Sequence, residues 1–155
     1  VATLDPVGAN GAQSGGSNTN YGLTYANGPL AAALDYTKYG TAVAATADTR
    51  TRMSANYDLG MAKVGVGYQT AGNGTAAAKK ERALGVSVPM GPWVFGAVYA
   101  SSKTDGTAGN NTGYDLAAQY NLSKRTYVAL QAQSTKAAGA TASATTTRVQ
   151  LAHSF

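Results

Sequence analysis

The 155-residue chain carries 12 Lys and Arg against 7 Asp and Glu, a formal net charge of +5, and no cysteine. Disulfides, thiolate chemistry and Cys-based zinc sites are therefore excluded, and the charge is too dispersed to argue for nucleic acid. The 44% hydrophobic content is carried largely by alanine, with 19 Gly, 10 Tyr, no Ile and a mean hydropathy of −0.18, so a thick core of Leu, Ile and Phe is hard to build. That poverty is expected where one strand face meets lipid and the other meets water. The apolar runs are far shorter than the roughly 20 residues of a membrane helix, so a membrane-crossing chain of this composition has to be a β-barrel. No signal peptide opens the sequence, from which a mature or truncated product is expected.

In chain order, Val1 to Ser17 is rich in Gly, Asn and Ser without a period and reads as an external loop. Tyr21, Leu23 and Tyr25 then alternate with smaller or polar residues up to the turn Asn27-Gly28-Pro29, and Leu30, Ala32, Leu34 and Tyr36 return, forming a hairpin. Beyond a looser 40–48 stretch, Thr51, Met53, Ala55, Tyr57 and Leu59 alternate with Arg50, Arg52, Ser54, Asn56 and Asp58. A tight turn at Asp58-Leu59-Gly60 leads into Ala62, Val64, Val66 and Tyr68. Ala71 to Glu81 reads as a polar loop, followed by Leu84, Val86 and Val88, the turn Pro89-Met90-Gly91-Pro92, and Trp93, Phe95, Ala97 and Tyr99. Lys103 to Thr112 is again loop-like. Tyr114, Leu116, Ala118, Tyr120 and Leu122 precede a turn at Asn121 to Thr126, after which come Val128, Leu130 and Ala132. A last loop, Ala137 to Thr146, feeds a terminal strand in which Val149, Leu151, His153 and Phe155 share one side.

About nine strands result, from about residue 18 to 155, and long and short connections alternate strictly. An up-and-down transmembrane barrel has this arrangement, short turns on the periplasmic side and longer loops outside, whereas a β-sandwich need not. Aromatics sort into two levels on the apolar face. Tyr25, Tyr57, Trp93, Tyr120 and Phe155 lie near short-turn or terminal ends, and Tyr21, Tyr36, Tyr68, Tyr99 and Tyr114 lie toward the long loops. Tyr and Trp favour the headgroup level, so these are candidate interfacial belts; their β-propensity alone accounts for their presence but less well for the two levels.

Catalytic chemistry finds little support. The only histidine, His153, is expected to point outward without catalytic partners, so no enzyme is expected. Asp48, Glu81 and Asp105 sit in loops without a dense acidic pattern, and no metal or cofactor is expected. Gly65-Val66-Gly67 resembles a nucleotide-binding fragment in form only, because it lies within an alternating strand. Asn-X-Ser/Thr triplets at Asn73, Asn110 and Asn121 read as turns and loops.

The charges alternating with the apolar face carry more information. Arg50, Arg52, Lys63, Arg125 and Arg148, with Asp35, Asp58 and Asp115, are expected to line a water-filled lumen with a basic excess. Fixed charges in a narrow tube concentrate opposite ions, which predicts a mild anion preference. The alternative is that both signs neutralise each other and only keep the lumen wet.

Tyr25-Ala26-Asn27-Gly28-Pro29-Leu30, Ala55-Asn56-Tyr57-Asp58-Leu59-Gly60, Tyr120-Asn121-Leu122-Ser123-Lys124-Arg125-Thr126 and the Phe155 ending resemble the C-terminal half of general porins of β-proteobacteria. The resemblance implies an outer-membrane location and trimers of 16-stranded barrels passing small hydrophilic solutes and ions by passive diffusion. It also implies that Phe155 is a signal for the barrel-assembly machinery, and that lipid and lipopolysaccharide surround the chain. An odd strand count cannot close as an ordinary bacterial barrel, and the family's first strands and constriction loop have no counterpart. Residues 1–155 are therefore expected to be the C-terminal portion of one barrel, completed by strands of the same or another chain. Two other readings stay open: a self-contained small outer-membrane barrel acting as anchor or adhesin, and a soluble secreted β-rich binding protein.

Overall fold

The computed structural model describes residues 2–4, 18–40, 48–72 and 78–155. Ten strands form one sheet in chain order: β1 (Ala2–Leu4), β2 (Asn18–Asn27), β3 (Leu30–Lys38), β4 (Thr49–Asp58), β5 (Lys63–Gly72), β6 (Lys79–Met90), β7 (Trp93–Thr104), β8 (Asn111–Asn121), β9 (Thr126–Lys136) and β10 (Ala144–His153). Each strand pairs antiparallel with the next, an up-and-down meander. The connections fall at 28–29, 59–62, 91–92 and 122–125 on one edge and at 5–17, 39–48, 73–78, 105–110 and 137–143 on the other, so long and short do alternate.

Four loop boundaries move. Ala2–Leu4 lies within the expected opening loop yet pairs with Asn18–Asn20, adding a tenth strand where no period of two was visible. Strand β6 begins at Lys79, which puts Glu81 in the sheet; β7 runs to Thr104 and β8 starts at Asn111; and β10 begins at Ala144. In each case charged, Thr or Asn residues continue the ladder past the last apolar residue, because hydrogen bonding to a neighbour outlasts hydrophobic alternation. Leu122 lies in the 122–125 turn instead of on β8.

Register agrees with the alternation throughout. One row across the sheet reads Leu30, Tyr57, Val64, Val86, Ala97, Leu116, Ala132, Thr147, and every member but the last is apolar or aromatic. Another reads Met90, Trp93, Tyr120, Val128, Leu151. A slip of one residue anywhere would send an apolar set to the other face, so the pattern itself pins the pairing.

The aromatic levels reveal the tilt of the strands. Tyr36 lies in the row of Thr51 and Thr70, whereas Tyr68 on β5 is two residues nearer the short turns. Tyr68 lies in the row of Arg82 and Ser101, whereas Tyr99 on β7 is again two residues nearer. The tyrosine level thus steps back by one pleat every two strands. A membrane-parallel belt does this when strands tilt by roughly 36–40° in a sheared barrel. Tyr21 and Tyr36 lie 6.3 Å apart at the long-loop level; at the other, Trp93 sits 4.7 Å from Tyr120 and 5.8 Å from Phe95.

Tight turns use glycine where the backbone enters the left-handed region, at Gly28 (φ 54°) and Gly91 (φ 60°). A β-carbon at Gly91 would meet nothing within 4 Å, so Gly91→Ala should cost only the backbone penalty, about 1 kcal/mol, read as a lower denaturant midpoint in vesicles.

Candidate pore wall

Among the described residues no hydrophobic side chain is buried, and Ser134 is the only buried residue. Leu23, Met53, Val66, Leu84, Leu116, Leu130 and Leu151 all stand exposed on the apolar face. Such a continuous apolar surface, with no protein core behind it, requires an apolar solvent.

The opposite face is polar and concave. Arg52 and Ser54 from β4, Gln69 from β5, Asp115 from β8 and Gln131 from β9 line one cavity of about 890 Å³. Strands this far apart can share a cavity only if the sheet curls around it. Asn20, Asp35, Thr37 and Arg50 continue the concavity as a smaller hollow of about 540 Å³.

Seven of the eight charged residues expected on this wall share its face: Asp35, Arg50, Arg52, Asp58, Lys63, Asp115 and Arg148. Arg125 does not lie on a strand; it is exposed in the 122–125 turn, where its N–H donates to Ser123 Oγ at 3.1 Å. Asp35 is directly opposite Arg52, and Asp58 Oδ2 lies 3.3 Å from Lys63 Nζ beside the short turn. Arg50 is placed differently: its guanidinium stacks 5.5 Å from the Tyr39 ring, and its Nε has no hydrogen-bond partner among the described residues.

Glutamine organises the remaining charges. Arg52 Nε and Nη2 donate to Gln69 Oε1 at 2.9 and 2.8 Å, while Gln69 Nε2 donates to Glu81 Oε2 at 2.5 Å. Lys79 Nζ completes this chain 2.7 Å from Glu81 Oε1. A second relay has the same composition: Arg148 Nη1 donates to Gln131 Oε1 at 3.5 Å, and Gln131 Nε2 donates to Asp115 Oδ2 at 2.5 Å. The first spans β4 to β6 and the second β8 to β10, with Val98 and Ala100 of β7 between them. Each contact is worth about 1 kcal/mol or less in such exposed settings. Their effect is to fix where the charges stand.

Gln69, Lys79, Glu81 and Gln131 were missed as wall residues in the sequence. Glu81 and Lys79 fall before the first apolar residue of β6, and neutral glutamines do not stand out until the register places them between an Arg and an acid. Their common signal is parity, since counting back in twos from Ala83 reaches both Glu81 and Lys79. Glycines occupy the same face at Gly22, Gly65, Gly67, Gly85, Gly96 and Gly113. A β-carbon at Gly65 would fall 2.5 Å from Asn56 Oδ1.

His153 shares the face of Leu151, as expected, with its Nδ1 2.8 Å from Thr126 Oγ1 and its ring edge-on to Phe155. No group of three metal-ligating side chains occurs among the described residues.

A family model described as Gram-negative porin matches residues 2–140. The chain belongs to the Gram-negative porin family. Two solved porins share its fold. One, refined at 1.8 Å resolution, is 16% identical with a TM-score of 0.72 and aligns over 96% of this chain and 55% of its own. The other, the anion-selective porin from Comamonas acidovorans, is 23% identical with a TM-score of 0.71 over 90% of this chain and 49% of its own. The porin chain described here therefore spans about half the length of these relatives. No curated protein matches it in sequence. Family membership places this porin in the outer membrane of a Gram-negative cell, with its apolar face toward lipid. The family and its fold are those of channels without catalytic machinery.

Proposed function

We propose that this chain is the C-terminal portion of a diffusion channel whose polar face passes small hydrophilic solutes and ions, with a mild preference for anions and no enzymatic role. The observation that carries it is the concave wall held by two Arg–Gln–acid relays behind an apolar, coreless outer face. The strand residues of that wall are Arg50, Arg52, Lys63, Lys79 and Arg148 against Asp35, Asp58, Glu81 and Asp115, five cations to four anions and so a net +1. That small excess supports a weak preference, and the anion selectivity named for the Comamonas porin is in keeping with it. Arg125, at the turn, adds positive charge to the rim of the short-turn mouth.

The order β1 to β10 leaves β10 with β9 as its one neighbour among the described residues. An unpaired strand edge is costly in lipid because its backbone groups lack water, so further strands close the barrel. This weighs against a self-contained small barrel, which needs β10 paired to β1. A soluble binding protein is disfavoured by the coreless apolar face. The tyrosines and Trp93 serve as interfacial belts, Phe155 as the mark read by the assembly machinery, and the closed barrel associates as a homotrimer.

Planar-bilayer recording of the detergent-purified native particle tests the channel. The expected result is ohmic steps with a reversal potential on the anion side under a salt gradient. A particle that folds into bilayers without conducting refutes it. Native mass spectrometry of the same sample should show further polypeptide, or further sequence, with each copy of residues 1–155. A particle containing only these residues refutes the split of the barrel.

A further inference from the structure

Of β2 to β10, only β7 brings neither a charge nor an amide to the polar face. From the short turn upward its residues there are Val94, Gly96, Val98 and Ala100, and Ser102 is the first hydroxyl. Val98 is the one large apolar side chain standing exposed on the polar face of these strands, at 44%. It leans toward β6, where a β-carbon at Gly85 would come 3.4 Å from its Cγ2. Ala83 opposite Ala100, and Ala117 opposite Gly96, widen the bare strip onto the neighbouring strands. From Val94 to Ala100, roughly 20 Å, β7 offers water only aliphatic groups and backbone. Such a strip gains from contact with an apolar surface carried in by a solute.

Opposite charges flank the strip. Asp115 is directly opposite Val98, and Arg148 is linked to Asp115 through Gln131, whose own partner across the ladder is Ala117. Asp115 engages Gln131 through Oδ2 alone, and Arg148 makes a single long contact of 3.5 Å from Nη1. Asp115 Oδ1 and Arg148 Nε and Nη2 are without hydrogen-bond partners among the described residues. Thr146 shares the row of Asp115, and Arg148 is two residues nearer the short-turn edge. The tyrosine step of one pleat every two strands therefore puts Arg148 at the depth of Asp115. A cation and an anion stand at one depth, beside a floor of Ala117 and Gly96 and the side of Val98. A solute of zero net charge feels no net pull from the wall, yet its two ends are oriented by this pair.

We propose that this corner is a subsite for zwitterions with an apolar side chain, α-amino acids such as leucine or phenylalanine. The ammonium binds Asp115, the carboxylate binds Arg148, and the side chain crosses Ala117 and Gly96 to rest against Val98. The subsite deepens the channel reading and rests on the polar face being open to water. Selection is by surface rather than by net charge, so free phenylalanine dwells where free glycine passes.

The detergent-purified particle is tested in two ways. In planar bilayers, phenylalanine should reduce the conductance with an apparent affinity about threefold or more above that of glycine, and Val98→Ser should abolish that difference. Asp115→Asn should weaken block by both amino acids about fivefold, because both carry the ammonium. Independently of conduction, Val98→Cys adds the one thiol to a sequence without cysteine. A water-soluble maleimide should label it, phenylalanine should slow the labelling where glycine does not, and Thr37→Cys, on the same face of β3, should label equally with either. Equal block by the two amino acids, a difference that survives Val98→Ser, unchanged block in Asp115→Asn, or equal protection at Thr37→Cys would each overturn the subsite. An unreactive Val98→Cys thiol overturns it as well, since another segment of the protein then covers the strip. A silent particle whose Val98→Cys thiol is protected by phenylalanine refutes the channel alone, and a conducting one without that protection refutes the subsite alone.

Discussion

Leu116→Arg should destabilise the membrane-inserted state by about 2–4 kcal/mol, the cost of a guanidinium on the lipid face near mid-bilayer, while Ala117→Arg one residue along should shift stability by about 0.5 kcal/mol or less. Leu116 lies midway along β8 between Ala97 and Ala132 and is 51% exposed on the apolar face; Ala117, between Gly96 and Gln131, faces the polar concavity. The comparison holds strand, charge and depth nearly constant and changes only the side. Denaturant unfolding in lipid vesicles reads both, and equal losses would mean that the two faces have been exchanged.

The combined change Arg52→Gln and Arg148→Gln should move the channel from weak anion to weak cation preference. It leaves Arg50, Lys63 and Lys79 against four carboxylates, three cations to four anions, so the strand wall passes from +1 to −1. Glutamine preserves a donor and an acceptor beside Gln69 and Gln131, so the wall keeps hydrogen-bonding capacity while losing charge. Because the wall focuses its field into a narrow aqueous path, the sign of the reversal potential follows the sign of that charge. An unchanged reversal potential would place the selectivity in segments outside β2–β10. The size of the effect should shrink with rising salt, as screening shortens the reach of each charge.

Strand parity was legible in the sequence because a period of two is imposed by the pleat. From Tyr21 to Leu151 the apolar residues named by alternation share the face that register gives them, except Leu59, Ala62 and Leu122, which fall in the short turns. What alternation could not show was where strands stop, since the Lys79–Ala83 and Asn111–Gly113 ends carry few large apolar residues and continue by backbone pairing alone. Ala2–Leu4 is a still stronger case, three residues too short to display a period. Charges on the wall were legible one by one except Lys79 and Glu81, which fall before the alternation of β6 begins; their grouping was not legible, because Arg52 with Glu81 and Arg148 with Asp115 are each joined across three strands by a neutral side chain. Arg125 was misplaced by parity carried one step too far, past the start of β9 and into the turn.

The distribution of glycine bears on how such a sheet curves. Leu, Val, Met and aromatic side chains crowd one side, while Gly22, Gly65, Gly67, Gly85, Gly96 and Gly113 leave gaps between the polar side chains of the other. In cross-section β2, β5, β6, β7 and β8 are wedges at these positions, broad outside and thin inside, and wedges laid edge to edge make an arch. Curvature here needs no interior to hold it; it comes from the unequal thickness of the stones. A bulky residue in place of one of these glycines would therefore act twice, filling part of the bore and straightening the arch around it.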